Sequence, residues 1–151
     1  MKLHGFLVAG TVIGLTATMA TGASAQGLQH FAVLTGGNVV SATGKAAAGD
    51  PDGSGAAAVT IDDTGQVCVS LMVVKLDPST TAAIRQGTAG VNGGIIIALT
   101  PPSGGNPGNS NTCTRTIAPS RLALLREKPN HFYIEIRSTA FPAGALRGQM
   151  F

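Results

Sequence analysis

Aromatic residues and charge are both scarce in this chain. It has no tryptophan, a single tyrosine and only 5 phenylalanines, and charged residues make up 11% of its 151 positions. Single-stranded nucleic-acid grooves need aromatic platforms and clustered lysine or arginine. Neither is present: Lys and Arg never form a run, and the formal net charge is only +3. Outer-membrane barrels need aromatic girdles and apolar alternation up to the last strand. The final Phe151 fits that pattern, but Arg147 and Gln149 occupy positions that should be apolar.

Catalytic constellations are missing too. The 3 histidines are His4, His30 and His131, and none has metal-ligand spacing to another. No G-x-S-x-G occurs, and no nucleophile, histidine and acid fall into a usable order. Asp62 and Asp63 are adjacent, so on a strand they would point to opposite faces, and a turn is the better use of them. No catalytic residue, resident metal or cofactor is therefore expected.

The N-terminus has a clear layout. Lys2 and His4 precede the apolar run from Phe6 to Ala20, and Ala23-Ser24-Ala25 is a small-x-small cleavage site. This is the pattern of a secretory signal peptide, with cleavage expected between Ala25 and Gln26. The run falls short of the roughly 20 apolar residues of a membrane span and has no stop-transfer charges, which argues against a retained anchor. Residues 1–25 are thus read as a leader and 26–151 as one secreted or periplasmic domain, with no span once the leader is gone. Loss of Lys2 takes the formal charge from +3 to +2.

The only cysteines, Cys68 and Cys113, both lie in the exported part. An even count in an oxidising compartment favours a disulfide over two free thiols. With two cysteines, one intramolecular pairing exists.

β-strand patterning fills the remainder. In Gln66–Lys75, Val67, Val69, Leu71 and Val73 share one face and Cys68, Ser70, Met72 and Val74 the other. Both faces are largely apolar, which predicts a central strand. Strands are also expected over Gln29–Leu34, Ala57–Ile61, Ile95–Ile97, His131–Arg137 and Ala145–Phe151. Seven or so short strands at these spacings indicate an antiparallel Greek-key β-sandwich. Ser120–Glu127 is the one helical segment, capped by Ser120 and blocked by Pro129. Thr43–Gly55 and Thr100–Thr112 read as loops, rich in Gly, Pro, Asn and Ser.

Within the first loop, Asp50, Asp52, Ser54 and Gly55 sit like the early positions of a calcium loop. The position that should supply a bidentate carboxylate is Ile61, and no helices flank the loop. Asp-Pro and Asp-Gly turn chemistry accounts for these residues equally well.

Two blocks carry a family resemblance. Ile84, Gly87, Gly90, Val91, Asn92 and Gly93 match A-H-I-H-x-G-x-x-G-x-N-G. Tyr133, Phe141, Pro142, Gly144, Arg147, Gly148 and Gln149 match Y-V-N-V-H-T-x-x-F/Y-P-x-G-x-I/L-R-G-Q-L. The chain thereby resembles the CHRD domain, the module named after chordin and found in secreted bacterial proteins. The resemblance implies a sandwich of immunoglobulin-like or copper-zinc-dismutase-like shape, and an extracytoplasmic binding or structural role rather than a defined activity. It also implies that residues 83, 85 and 137 approach one another, because these are the positions where the family carries histidine. Here they are Ala83, Arg85 and Arg137, which disfavours the competing reading of a dismutase-like, metal-dependent redox protein. Two guanidiniums with Glu135 on the same face form a candidate contact for an anion, an acidic protein partner or an anionic surface, against the plainer reading of a surface ion pair. Arg147 is expected to satisfy loop carbonyls or a carboxylate such as Asp50 or Asp62.

Overall fold

The computed structural model describes residues 27–104 and 106–151; the leader expected over residues 1–25 and its cleavage site lie outside the described residues. Eight strands are present: β1 (Leu28–Thr35), β2 (Ser54–Ile61), β3 (Val67–Val74), β4 (Ser79–Gln86), β5 (Ile95–Leu99), β6 (Gly108–Thr114), β7 (Phe132–Ser138) and β8 (Leu146–Gln149). One helix, α1 (Pro119–Glu127), lies between β6 and β7.

All pairings are antiparallel, as the alternation predicts. The strands run in the order β5-β4-β7-β8-β1-β2-β3-β6. The two expected layers are therefore one continuous sheet, joined where β8 meets β1 through Thr35 and Arg147. The sheet curls until its edges approach. Thr100, just after β5, donates its N–H to Thr112 Oγ1 and accepts from Ser110 Oγ on β6, at 2.9 and 2.7 Å. With the edges joined in this way, strands β3–β6 and β4–β7 each trace a Greek key.

The inner face is almost wholly aliphatic. Leu34, Val59, Ile61, Val67, Ile84, Ile134, Ile136 and Leu146 are fully buried there. β-branched residues dominate because their stiff side chains pack on a pleated surface. Helix α1 packs Leu125 against this core; full burial of one such side chain stabilises by roughly 1.5–3 kcal/mol.

Three expectations need correction. β3 lies inside the sheet, between β2 and β6, but only its Val67, Val69, Leu71 and Val73 face is buried. Met72 and Val74 face out and are exposed, since periodicity alone does not say which of two apolar faces meets the core. The segment read as a loop over 100–112 contains most of β6, whose polar sequence is held in strand form by pairing with β3. Ser120 does not cap α1; Ala118 takes that place, and Pro119 opens the helix with its φ already fixed.

Cys68 and Cys113 are direct cross-strand partners on β3 and β6 and form a disulfide. It ties the outermost strand to the sheet across a sequence separation of 45 residues.

Candidate functional site

The outer face of β4, β7 and β8 carries the polar residues of both family-like blocks. Strand registers arrange them in rows. Ala83, Glu135 and Arg147 lie abreast, as do Arg85, Tyr133 and Gln149, and Thr81 lies opposite Arg137. The adjacency of residues 83, 85 and 137 implied by the resemblance is thus present.

These rows divide into a closed half and an open half. In the closed half, the 87–94 loop folds over the sheet. Arg147 is only 2% exposed. Its Nη1 donates to Asn92 Oδ1 at 3.0 Å, and its Nη2 to the carbonyls of Thr88 and Val91 at 3.0 and 2.8 Å. Its guanidinium carbon lies 3.6 Å from the Tyr133 ring centroid. Burial lowers the pKa of this arginine from its ordinary value, opposed by the nearby Tyr133 and Glu135. The loop-carbonyl role expected for Arg147 is what the geometry shows; the carboxylate alternatives are not used. Asp50 Oδ1 instead accepts from the backbone N–H groups of Asp52 and Gly53. Asp62 Oδ1 accepts from Thr64 and Gln66, and these bonds, the Thr64 hydroxyl foremost, lower its pKa.

The other family-block residues complete this clamp. Gln149 Nε2 donates to the carbonyls of Gly87, Asn130 and Phe132, each at 2.8 Å. Asn92 Nδ2 reaches the carbonyls of Val40 and Ser41, tying in the 39–49 segment. Tyr133 Oη accepts from the Gly93 N–H at 3.0 Å. Gly93 has to be glycine: a Cβ there would sit 1.6 Å from the Gln86 carbonyl oxygen. At Gly148 it would meet the Val33 carbonyl oxygen at 2.4 Å. Gly90 takes a positive φ in the turn closed by Val91 N–H to Thr88 O. Phe141, Pro142 and Gly144 form the turn into β8, where the Phe141 carbonyl accepts from Gly144 N–H.

The open half holds the charged residues. Arg85 Nε and Arg137 Nε each lie 3.1 Å from Glu135 Oε1. Only the Arg137 contact is aligned as a hydrogen bond; Arg85 Nε is buried and lacks an aligned acceptor. Arg85 Nη1 donates to the Gly93 carbonyl, which braces the side chain against the clamp. Glu135 is buried, whereas Arg137 is about one-third exposed. Two cations thus share one carboxylate, leaving a net positive charge.

Beside them lies a cavity of about 310 Å³ over the outer sheet face. Arg85, Glu135 and Arg137 form its polar side, while Ala83, Ala98, Leu99 and Pro101 contribute apolar wall. The small side chain of Ala83, at a family histidine position, leaves this space open. Among the described residues no three His, Cys, Asp or Glu side chains converge as a metal site. The Asp50–Asp52 loop is a turn with the Asp50 carboxylate directed into its own backbone, in line with the turn-chemistry reading. His30, the one buried histidine among the described residues, faces the core from β1, remote in sequence from both blocks.

No curated protein matches the chain, and no solved structure does. The family model for the CHRD domain matches residues 30–150, nearly all of the described structure, and both blocks fall within that span. The chain belongs to the CHRD-domain family.

Proposed function

We propose that this CHRD-domain protein is an exported, non-enzymatic binding module, which holds a carboxylate-bearing segment of an extracellular or envelope protein on its outer β4–β7 face. The observation that carries this reading is the Arg85–Glu135–Arg137 arrangement. Glu135 neutralises one guanidinium and aligns Arg137, while the Gly93 carbonyl aligns Arg85. The excess charge opens onto a cavity with an apolar wall. A guanidinium pair of this kind favours planar anions by bidentate donation, and the apolar wall favours a carboxylate on an aliphatic body over a free inorganic anion.

Export is supported by the leader-like N-terminus and the Cys68–Cys113 disulfide, which persists in oxidising compartments. Among the described residues no helix is long and apolar enough to cross a membrane.

Capture from the native envelope and medium tests the proposal. Immobilised protein is expected to retain an acidic partner that the Arg85→Ala, Arg137→Ala double variant does not retain. Equal capture by both proteins would remove the assignment to this face. Metal analysis of the same preparation tests the dismutase-like alternative: stoichiometric copper or zinc would favour it.

A further inference from the structure

The opposite side of the molecule, the outer face of β1, β2, β3 and β6, carries a second feature. Phe31 and Val33 on β1 and Met72 on β3 project outward and are 45%, 61% and 55% exposed. Val74 extends the β3 row. Between these two ridges β2 presents only Ala56 and Ala58, and the difference in side-chain size leaves a shallow trough of about 250 Å³. Soluble sheets commonly break such a face with outward charge. Here the outward positions of the four strands carry no charged side chain: Gln29, Thr35, Ser54, Thr60, Ser70, Asn109 and Asn111 are polar and neutral, and they surround the apolar centre.

The ridges are also held in place. Phe151 exchanges both backbone hydrogen bonds with Phe31, each 3.0 Å, and their ring centroids lie 6.4 Å apart. The backbone beneath this exposed aromatic pair is thus held in place, so little backbone freedom is left to lose on contact.

We infer that this face is an interface between two copies of the chain, packed about a twofold axis with the β1 ridge of each copy in the β2 trough of the other. Three observations select a second copy. The face has ridge and trough side by side, so it is complementary to itself, which an isologous interface requires. Its strand side chains are uncharged, so juxtaposing two copies brings no like-charged side chains together. Its size also suffices. Four strands at about 4.8 Å spacing and eight residues at about 3.3 Å give a footprint on the order of 500 Å². Two such faces together give about 1,000 Å², the lower limit of a specific interface. The β4–β7 face points away from this contact, so the dimer is bivalent for the partner proposed above.

Sedimentation equilibrium on the full chain, as its host processes it, tests the inference. A concentration-dependent dimer is expected. Val33→Lys, at an exposed position, is expected to keep the wild-type circular dichroism and thermal unfolding while weakening dimerisation at least ~100-fold, because each lysine would be driven without a charge partner into the apolar trough of the other copy. Ala56→Leu, which fills the trough, is expected to weaken it as well. A monomer at every concentration, or a dimer indifferent to both substitutions, would overturn the proposal. So would a monomer whose apolar face instead binds phosphatidylcholine vesicles in flotation.

Discussion

Arg147 stacks its guanidinium on the Tyr133 ring at 3.6 Å while the Tyr133 hydroxyl accepts from Gly93, the residue that follows Arg147's own partner Asn92. One arginine and one tyrosine on neighbouring strands therefore hold the same loop from two directions. This loop in turn braces Arg85 through the Gly93 carbonyl. The closed half of the outer face is a support for the open half, and the two are separable by mutation.

Replacing Arg147 tests the support. Arg147→Met keeps bulk but leaves Asn92 Oδ1 and the Thr88 and Val91 carbonyls without their donor. A buried acceptor left without its donor costs about 1–3 kcal/mol. Urea unfolding is expected to show a lower midpoint with an unchanged slope. Arg147→Lys is expected to recover only part of the loss, since an ammonium does not reproduce the planar fork.

The disulfide is expected to hold β6 more than the core. On the chain-entropy account, closing a loop with a sequence separation of 45 stabilises by roughly 4 kcal/mol. Cys68→Ser, Cys113→Ser is expected to lose about that much. Hydrogen exchange should accelerate first at Gly108–Thr114, before β2 or β7, because β6 pairs along its length only with β3 and meets just Thr100 and Ser103 on its other side.

His30 makes the fold acid-sensitive. Burial lowers its pKa from the ordinary 6.5, partly offset by the Leu125 backbone, and its Nε2 has no hydrogen-bond partner. Below pH 6.5 the unfolded chain binds the proton more readily than the folded one. Its stabilising contribution is thus complete above 6.5 and falls as the pH drops through 6.5 toward the lower folded value. The urea midpoint is expected to decrease from about pH 7.5 to about pH 5, and to decrease less in His30→Gln. Asp62 acts in a separate, more acidic window: its pKa is lowered from 3.8, so its contribution is lost only as the pH falls through that value and below.

Much of the strand framework is legible in the sequence because β1, β3 and β7 alternate or carry β-branched runs. β6 is not legible, because Gly-Asn-Ser-Asn-Thr-Cys-Thr has no apolar period; its strand form comes from its neighbour and the disulfide. The exposed ridges were hidden for the opposite reason. Met72 and Val74 are as apolar as the core face of the same strand, so their orientation depends on what packs above the sheet. In the site, Arg85, Glu135 and Arg137 are recoverable from the family-like blocks and from alternation on β7. The cavity and the clamp are not, since the clamp's acceptors are mainly backbone carbonyls, which leave no mark on residue identity.

Glu135 sets the electrostatic balance of the site. Glu135→Gln raises the excess positive charge beside the cavity and removes the internal competitor for both guanidiniums. Affinity for an acidic peptide is expected to rise severalfold in the folded variant and to become more salt-dependent. Affinity that falls along with the Arg85→Ala, Arg137→Ala protein would instead assign the cluster a purely structural part.

The most direct measurement is a nuclear magnetic resonance titration that follows the Nε–Hε signals of Arg85 and Arg137. The probe is a short peptide carrying a glutamate beside leucine and proline, with inorganic phosphate as the comparison anion. Saturable shifts of both signals with the peptide, weaker shifts with phosphate, and none at the enclosed Arg147 are the predicted result. Arginine signals that stay fixed while the peptide is in excess would contradict the assignment of a carboxylate site to this face.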